Sequence, residues 1–134
     1  MDISEIRRIW KESFPEYDLK IVENDDGFEG GMCLSDGKTG KDLHLSFCYA
    51  DGKVCYILAV RGNTEMVSAD LVNGYNRNNP MVTCYLKKDG VFFRRIETVK
   101  SEREIVGLFD CFFGYVLNLD EKSFEKILEE VRCN

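Results

Sequence analysis

Apolar and polar side chains alternate through much of the first half of the chain, and this period of two predicts β-strands. Between residues 41 and 49 the alternation places Leu43, Leu45 and Phe47 on one face of a strand, opposite His44 and Ser46. Glycine-containing turns separate one alternating run from the next. The pattern predicts four strands in an antiparallel meander, at residues 17–23, 28–34, 41–49 and 53–60.

Three other segments have apolar residues spaced as on one face of an α-helix, at residues 2–13, 65–75 and 101–132. The third begins with Ser101 and Glu104 at the spacing of a capping box. Its apolar stripe keeps nearly the same phase as far as Val131, which favours one helix over two. The alternative is a break near Asn118, Leu119 and Asp120.

The middle helix is expected to begin after Asn63 or Thr64, because either side chain can accept a hydrogen bond from a free amide of the first turn. It is expected to end near Gly74 and the asparagines around it, since these residues tolerate left-handed backbone and compete for helical hydrogen bonds. A polar link then leads to Pro80, which cannot continue a helix.

A β-hairpin is predicted after Pro80, with one strand at 81–86 and a second from Val91 onward. Asp89-Gly90 is the turn signal, because a two-residue hairpin turn favours residues that accept positive φ. The resulting order is α-ββββ-α-ββ-α in one domain covering residues 1–134. We interpret it as an α+β fold, an antiparallel β-sheet with helices packed on one face.

Charge narrows the range of partners. The chain has 18 basic and 24 acidic residues among 134, a net charge of −6. Nucleic acid and anionic membranes are therefore not expected as partners, because both need clustered Lys and Arg. The N-terminal residues have neither a basic nor an apolar segment of a signal peptide, which predicts a cytoplasmic protein.

The residues that could perform chemistry are few and scattered. His44 is the single histidine, and the polar neighbours on its own strand, Asp42, Ser46 and Cys48, are too far away for a nucleophile–base hydrogen bond. No C-x-x-C motif occurs, so neither a zinc site nor a disulfide framework is expected. We predict no enzyme activity, no metal and no cofactor. Cys133 is expected to be exposed. The other cysteines are interpreted as small core residues: Cys33, Cys48, Cys55, Cys84 and Cys111.

One polar cluster is a candidate site, namely Asn73, Tyr75, Asn76, Arg77 and Asn78. In a structural role, their amides would satisfy the open carbonyls of the helix end. In a binding role, they would line a polar recess between helix and sheet that recognises a peptide or a small molecule. The structural role is favoured, and both stay open at this point.

The junction between helix and hairpin resembles that of the YbjN family, described as bacterial sensory transduction regulators. The matching features are Asn73-x-x-Asn76, the link to Pro80, the Lys88-Asp89-Gly90 turn and Ser101 before an apolar helix. The resemblance implies a fold like that of type III secretion chaperones, commonly dimeric, with no established catalytic residues.

These observations favour a non-enzymatic binding module, expected to be a homodimer that holds a partner protein segment on its sheet or helix face. The apolar stripe after Ser101 exceeds what one sheet face needs, which motivates the dimer. A small-molecule-sensing domain with a pocket near Tyr75 and Asn76 is the alternative. An enzyme would require a recess around His44 or around a cysteine with a shifted pKa.

Overall fold

The structure is a computed structural model that describes residues 1–35, 37, 39–118 and 122–132. It confirms the predicted order of helices and strands, with the last helical stretch divided in two. The strands are β1 Lys20–Glu23, β2 Gly27–Ser35, β3 Asp42–Ala50, β4 Lys53–Arg61, β5 Thr83–Lys87 and β6 Gly90–Thr98. The helices are α1 Ile3–Ser13, α2 Ala69–Asn78, α3 Glu102–Asn118 and α4 Lys122–Glu130.

All six strands form one antiparallel sheet in the order β1-β2-β3-β4-β6-β5. The predicted four-strand meander is thus confirmed, and the later hairpin joins it through β6, which pairs with β4. Leu58 lies opposite Phe93 across this junction, and Phe93 in turn lies opposite Cys84 of the edge strand β5.

The helices cover one face of the sheet, and the core lies between the two layers. Helices α1 and α3 pack together near β4, where the Tyr56 hydroxyl donates a 2.8 Å hydrogen bond to the Ile105 carbonyl. Helices α2 and α4 pack together near β6, where the Phe93 ring lies 5.1 Å from the rings of both Tyr75 and Phe124. The alternating apolar positions of the strands are buried on this face, which confirms the predicted α+β arrangement.

Helix α2 begins four residues later than predicted, because the residues of the preceding loop form hydrogen bonds with distant parts of the chain. The backbone of Asn63 exchanges two hydrogen bonds with Arg132, at 2.7 and 3.0 Å. The Thr64 hydroxyl donates to the carbonyl of Lys87 at 2.6 Å. Neither residue is therefore the cap, and Ser68 takes that position.

The far end of α2 also differs from the prediction. Gly74 does not stop the helix, which continues to Asn78. Asn79 then forms the cap, and its buried side-chain amide donates to the Tyr75 carbonyl at 2.9 Å. Since that contact satisfies an open carbonyl of the last turn, the helix is stable past the glycine.

The hairpin turn lies one residue earlier than expected. Lys87 pairs with Gly90, so the two turn residues are Lys88 and Asp89 instead of Asp89-Gly90. Gly90 belongs to β6 and lies close to β4, where an added Cβ would sit 2.8 Å from the Val60 carbonyl oxygen. The glycine is therefore required by the close approach of two strands and not by the turn.

The prediction of a single long helix over residues 101–132 is wrong. Helices α3 and α4 are separate, and they pack against different partners, α3 against α1 and α4 against α2. Two helices that cover different parts of a twisted sheet can keep one apolar phase without sharing one axis. The alternative was a break near Asn118, Leu119 and Asp120, and α3 ends at Asn118. Leu119 and Asp120 lie outside the described residues, as do Asp36, Lys38 and Cys133.

Candidate functional site

The face of the sheet turned away from the helices is here called the open face. Its residues alternate with the buried ones and form rows across neighbouring strands. Val22 and Ile96 lie on this face with 60% and 55% of their surface exposed. Its central residues, from β1 to β6 in two neighbouring rows, are Lys20, Gly31, Ser46, Ile57 and Arg94, then Val22, Glu29, Cys48, Cys55 and Ile96.

A shallow depression crosses the open face from β1 to β4. It consists of two adjoining parts of about 430 and 400 Å³ that share Lys20, Gly31 and Ser46. Gly31 creates the space because it has no side chain between Lys20 and Ser46 in its row. Ile57 lines the side toward the sheet centre. The depression is open to solvent along its length and suits an elongated group.

Basic side chains cover an aromatic pair at the other end of the open face. The rings of Tyr85 and Phe92 stack with centroids 5.3 Å apart and an interplanar angle of 11°. Arg61 and Lys87 lie 5.1 and 5.3 Å from the Phe92 centroid, and Arg94 lies 5.2 Å from that of Tyr85. Cation–π contacts of this kind hold long basic side chains over a sheet. Phe92 is consequently only 6% exposed.

The open face is basic although the chain as a whole is acidic. Its strands carry five basic side chains and two carboxylates, whereas the whole chain has 18 basic and 24 acidic residues. Two further carboxylates adjoin the face from outside the strands: Asp18 lines the depression, and Asp89 pairs with Arg61 at 3.3 Å. The excess of acids therefore lies on the helices and loops. The basic residues of the face are Lys20, Lys53, Arg61, Lys87 and Arg94, and the acidic ones are Glu29 and Asp42.

Both edges of the sheet have side chains bound to backbone groups that point outward. At β1, the Arg7 guanidinium donates a 3.0 Å hydrogen bond to the Ile21 carbonyl. At β5, the Asn76 amide donates to the Cys84 carbonyl at 2.9 Å and accepts from the Cys84 N–H at 2.7 Å. These contacts hinder the addition of a further strand, so the open face is more accessible to a partner than either edge.

The candidate cluster from the sequence is dispersed by the fold. Tyr75 is fully buried against Phe93, and Asn76 is engaged with Cys84. Asn73, Arg77 and Asn78 are exposed on the surface of α2. The contacts of Tyr75 and Asn76 are structural ones, and a recess that binds a ligand among these residues stays a prediction.

The histidine lies on the open face, with a neighbour that sequence reasoning missed. His44 pairs directly with Cys33 across β2 and β3, and both side chains are exposed at one end of the depression. The residues considered from the sequence, such as Ser46, share its strand instead. Cys33 could not be predicted as a neighbour of His44, because the loop between β2 and β3 does not fix the register of the two strands.

The interpretation of the cysteines as core residues is correct for Cys84, which is buried, and wrong for Cys33, Cys48 and Cys111, which are exposed.

A second missed pair is Cys48 and Cys55, which lie directly opposite each other on β3 and β4. Here the sequence contained the signal. A two-residue turn at Asp51-Gly52 fixes the register of this hairpin and makes residues 48 and 55 partners. Both turn residues have positive φ, 53° and 74°, as such a turn requires.

Comparison with known proteins adds no assignment: no family model matches the chain, and no curated protein matches it. Within the described residues, no group of three or more His, Cys, Asp or Glu side chains is arranged to hold a metal ion. None of the helices in the described ranges is both long enough and apolar enough to cross a membrane.

Proposed function

We propose that this protein is a non-enzymatic binding module that holds an extended, acidic segment of a partner protein across its open face. The observation that carries the proposal is the charge of that face, whose strands carry five basic side chains and two acidic ones in a chain of net charge −6. With Asp18 and Asp89 at its borders included, basic side chains still outnumber carboxylates there. Such a contrast attracts an acidic partner to one surface and repels it from the rest. The resemblance to the YbjN family agrees with a regulatory or chaperone-like role of this kind.

The spacing of the basic residues suggests how a segment would lie. Lys20 of β1 and Arg94 of β6 lie in the same row, which continues to Thr83 of β5. From Lys20 to Arg94 the row crosses five strands, which corresponds to roughly 19 Å at the usual strand spacing. An extended chain of about six residues spans that distance. Acidic residues near both ends of the segment would meet Lys20 and Arg94, and apolar residues between them would lie over the depression and Ile57.

A protein segment fits this face better than nucleic acid. Proteins that bind single strands offer uncovered aromatic rings on which bases stack. Phe92 is covered by Arg61 and Lys87, and Tyr85 has Arg94 over its ring. The net charge of the chain also opposes a polyanion that extends beyond the face.

Fluorescence anisotropy tests the proposal with a labelled peptide of alternating glutamate and valine. We expect Arg94→Glu to weaken binding by roughly tenfold, because it replaces an attractive charge by a repulsive one. Arg103→Glu is the matched control, since Arg103 is exposed on α3 and the charge change is the same. It should leave the affinity unchanged.

Two further probes make the experiment decisive. A peptide of alternating lysine and valine should not bind. An oligothymidine that binds more tightly than the acidic peptide would contradict the proposal in favour of a nucleic-acid surface. Equal losses in Arg94→Glu and Arg103→Glu would contradict it as well, because only the net charge would then matter.

The homodimer is a separate part of the proposal. Eight apolar residues of the stripe that motivated it are buried within the chain itself, and the side chains of Val116 and Leu117 lie outside the described residues. The dimer therefore rests on the family resemblance alone. Light scattering on the purified chain tests it, and a mass of one chain would contradict it. The eight are Ile105, Val106, Phe109, Phe112, Phe124, Ile127, Leu128 and Val131.

A further inference from the structure

Two cysteines face each other on the open face, and no other described cysteines are partners in the sheet. Cys48 of β3 pairs with Cys55 of β4, whereas Cys33 pairs with His44 and Cys84 with Phe93. Side chains directly opposite in antiparallel strands point to the same face. Their Cα atoms are about 4.5–5.5 Å apart, within the range that a disulfide bond spans.

The two thiols differ in access. Cys48 is exposed, and Cys55 is partly buried. Burial raises the pKa of the Cys55 thiol, while the nearby Arg94 guanidinium acts in the opposite direction. Both cysteines line the depression, so a small molecule in it contacts Cys48 first and has Cys55 beside it.

We propose that Cys48 and Cys55 form a reversible cross-strand disulfide by exchange with a small disulfide oxidant such as oxidised glutathione. The Cys48 thiolate attacks one sulfur of the oxidant, which forms a mixed disulfide and releases one glutathione thiolate. The Cys55 thiolate then attacks the Cys48 sulfur and releases the second glutathione. The protein loses two electrons and two protons in total, and one oxidised glutathione becomes two reduced molecules.

The short turn makes this exchange favourable. Asp51 and Gly52 hold β3 and β4 in register, so the two thiols are already neighbours before oxidation. A dithiol that is preorganised in the reduced protein needs little backbone movement to close. The site does not depend on the proposed binding of a partner segment.

Peptide mapping by mass spectrometry after treatment with oxidised glutathione tests the proposal. The full-length reduced protein is oxidised and its remaining thiols are alkylated. We expect the linked pair Cys48–Cys55 as the main product, while Cys33 and Cys111 stay available to alkylation or carry glutathione singly. Reduction should restore both thiols.

Three serine variants give the matched controls. In Cys55→Ser the glutathione adduct on Cys48 should accumulate by at least ~10-fold over the wild-type level, because the thiol that resolves it is missing. Cys111→Ser should behave as the wild type, since Cys111 lies on α3 away from the open face. In Cys48→Ser, Cys55 should form no intrachain disulfide.

Two results would overturn the proposal. One is a wild-type chain in which Cys48 keeps its glutathione adduct to the same extent as in Cys55→Ser. The other is a linkage of Cys48 or Cys55 to a different cysteine in the soluble, folded protein. Circular dichroism of each variant confirms that the fold is retained.

Discussion

At the scale of single residues, polar side chains form hydrogen bonds with backbone N–H and carbonyl groups at the edges of the sheet. Asn76 is the clearest case, because both atoms of its amide bind the backbone of Cys84 on the outer side of β5. Arg7 acts similarly at the opposite edge through the Ile21 carbonyl. These contacts stabilise the edges of the sheet and remove groups on which another chain could pair.

Replacing Asn76 by alanine should destabilise the protein by about 1–3 kcal/mol, because the N–H and carbonyl of Cys84 lose their partner in a partly buried place. Asn73→Ala is the control on the same helix, since Asn73 is exposed. Its free energy of unfolding should change by no more than about 0.5 kcal/mol. Urea denaturation measures both, and equal effects would mean that the Asn76 amide contributes nothing at the edge.

Alkaline pH should destabilise the protein through Cys84. Burial raises the pKa of its thiol to about 12. An unfolded thiol titrates near pH ~8.5, so the unfolded state loses a proton that the folded state keeps. The contribution to stability is therefore full below about pH 8.5 and is lost as the pH rises toward about 12.

Urea denaturation at about pH 8 and about pH 10 measures this loss, for which we expect roughly 1–2 kcal/mol from Cys84. Cys84→Ala should lower the free energy of unfolding at both pH values. It should also remove the part of the difference between the two pH values that comes from the Cys84 thiol. Cys111→Ala is the control and should retain the wild-type difference, because Cys111 is exposed. A difference unaffected by Cys84→Ala would contradict the assignment.

At the scale of elements, the sequence predicted what depends on local pattern. The strands followed from alternation, and the start of α3 followed from Ser101, whose hydroxyl accepts from the Glu104 N–H at 3.2 Å. The start of α2 did not follow, because Asn63 and Thr64 bind residues far away in the chain. Contacts between residues far apart in the chain produce no periodic pattern in the sequence.

The candidate site was predictable to a smaller extent for the same reason. Cys48 and Cys55 could be paired from the turn between them, whereas Cys33 and His44 could not. The basic character of the open face could not be predicted from the composition either, because the net charge of the chain combines a basic face with an acidic remainder. Tyr75 was singled out by its polar neighbours, yet its ring belongs to the core.

Two glycines, one in the loop after β4 and one in α3, should respond in opposite directions to substitution by alanine. Gly62 follows β4 with φ at 151°, and an added Cβ would lie 2.6 Å from the Arg132 carbonyl oxygen. We expect Gly62→Ala to destabilise by roughly 1–3 kcal/mol through strain and loss of the Asn63–Arg132 bridge.

Gly107 is the matched control, because it lies within α3 and nothing is within 4 Å of its added Cβ. Gly107→Ala should stabilise the protein by about 1 kcal/mol through helix propensity. Chemical denaturation compares the two variants. A Gly62→Ala protein as stable as the wild type would mean that the loop after β4 moves freely to accept a side chain.

At the scale of the whole molecule, the two faces of the sheet differ in the side chains they carry and in what those side chains contact. The helix-covered face is held by aromatic contacts that join several elements. Phe109 of α3 contacts Trp10 of α1 at 4.7 Å, Tyr56 of β4 at 5.8 Å and Phe47 of β3 at 6.5 Å between ring centroids. The open face carries exposed apolar and basic side chains instead.

Truncating Phe109 to alanine should cost about 3–5 kcal/mol, because it leaves a cavity where both layers meet. Asp110→Ala, an exposed neighbour on the same helix, should have little effect. Denaturation in guanidinium chloride gives both values. A loss below about 1 kcal/mol for Phe109→Ala would place that side chain outside the core.

The central claim is that the open face binds an acidic partner segment. The most direct test is nuclear magnetic resonance of the isotope-labelled protein during titration with the glutamate–valine peptide. We predict shifts of the Ile57 and Ile96 methyl signals and of amides in β3, β4 and β6, with the Ile105 and Ile127 signals unchanged. Shifts confined to the helices, or centred on Tyr75 and Asn76, would contradict the claim.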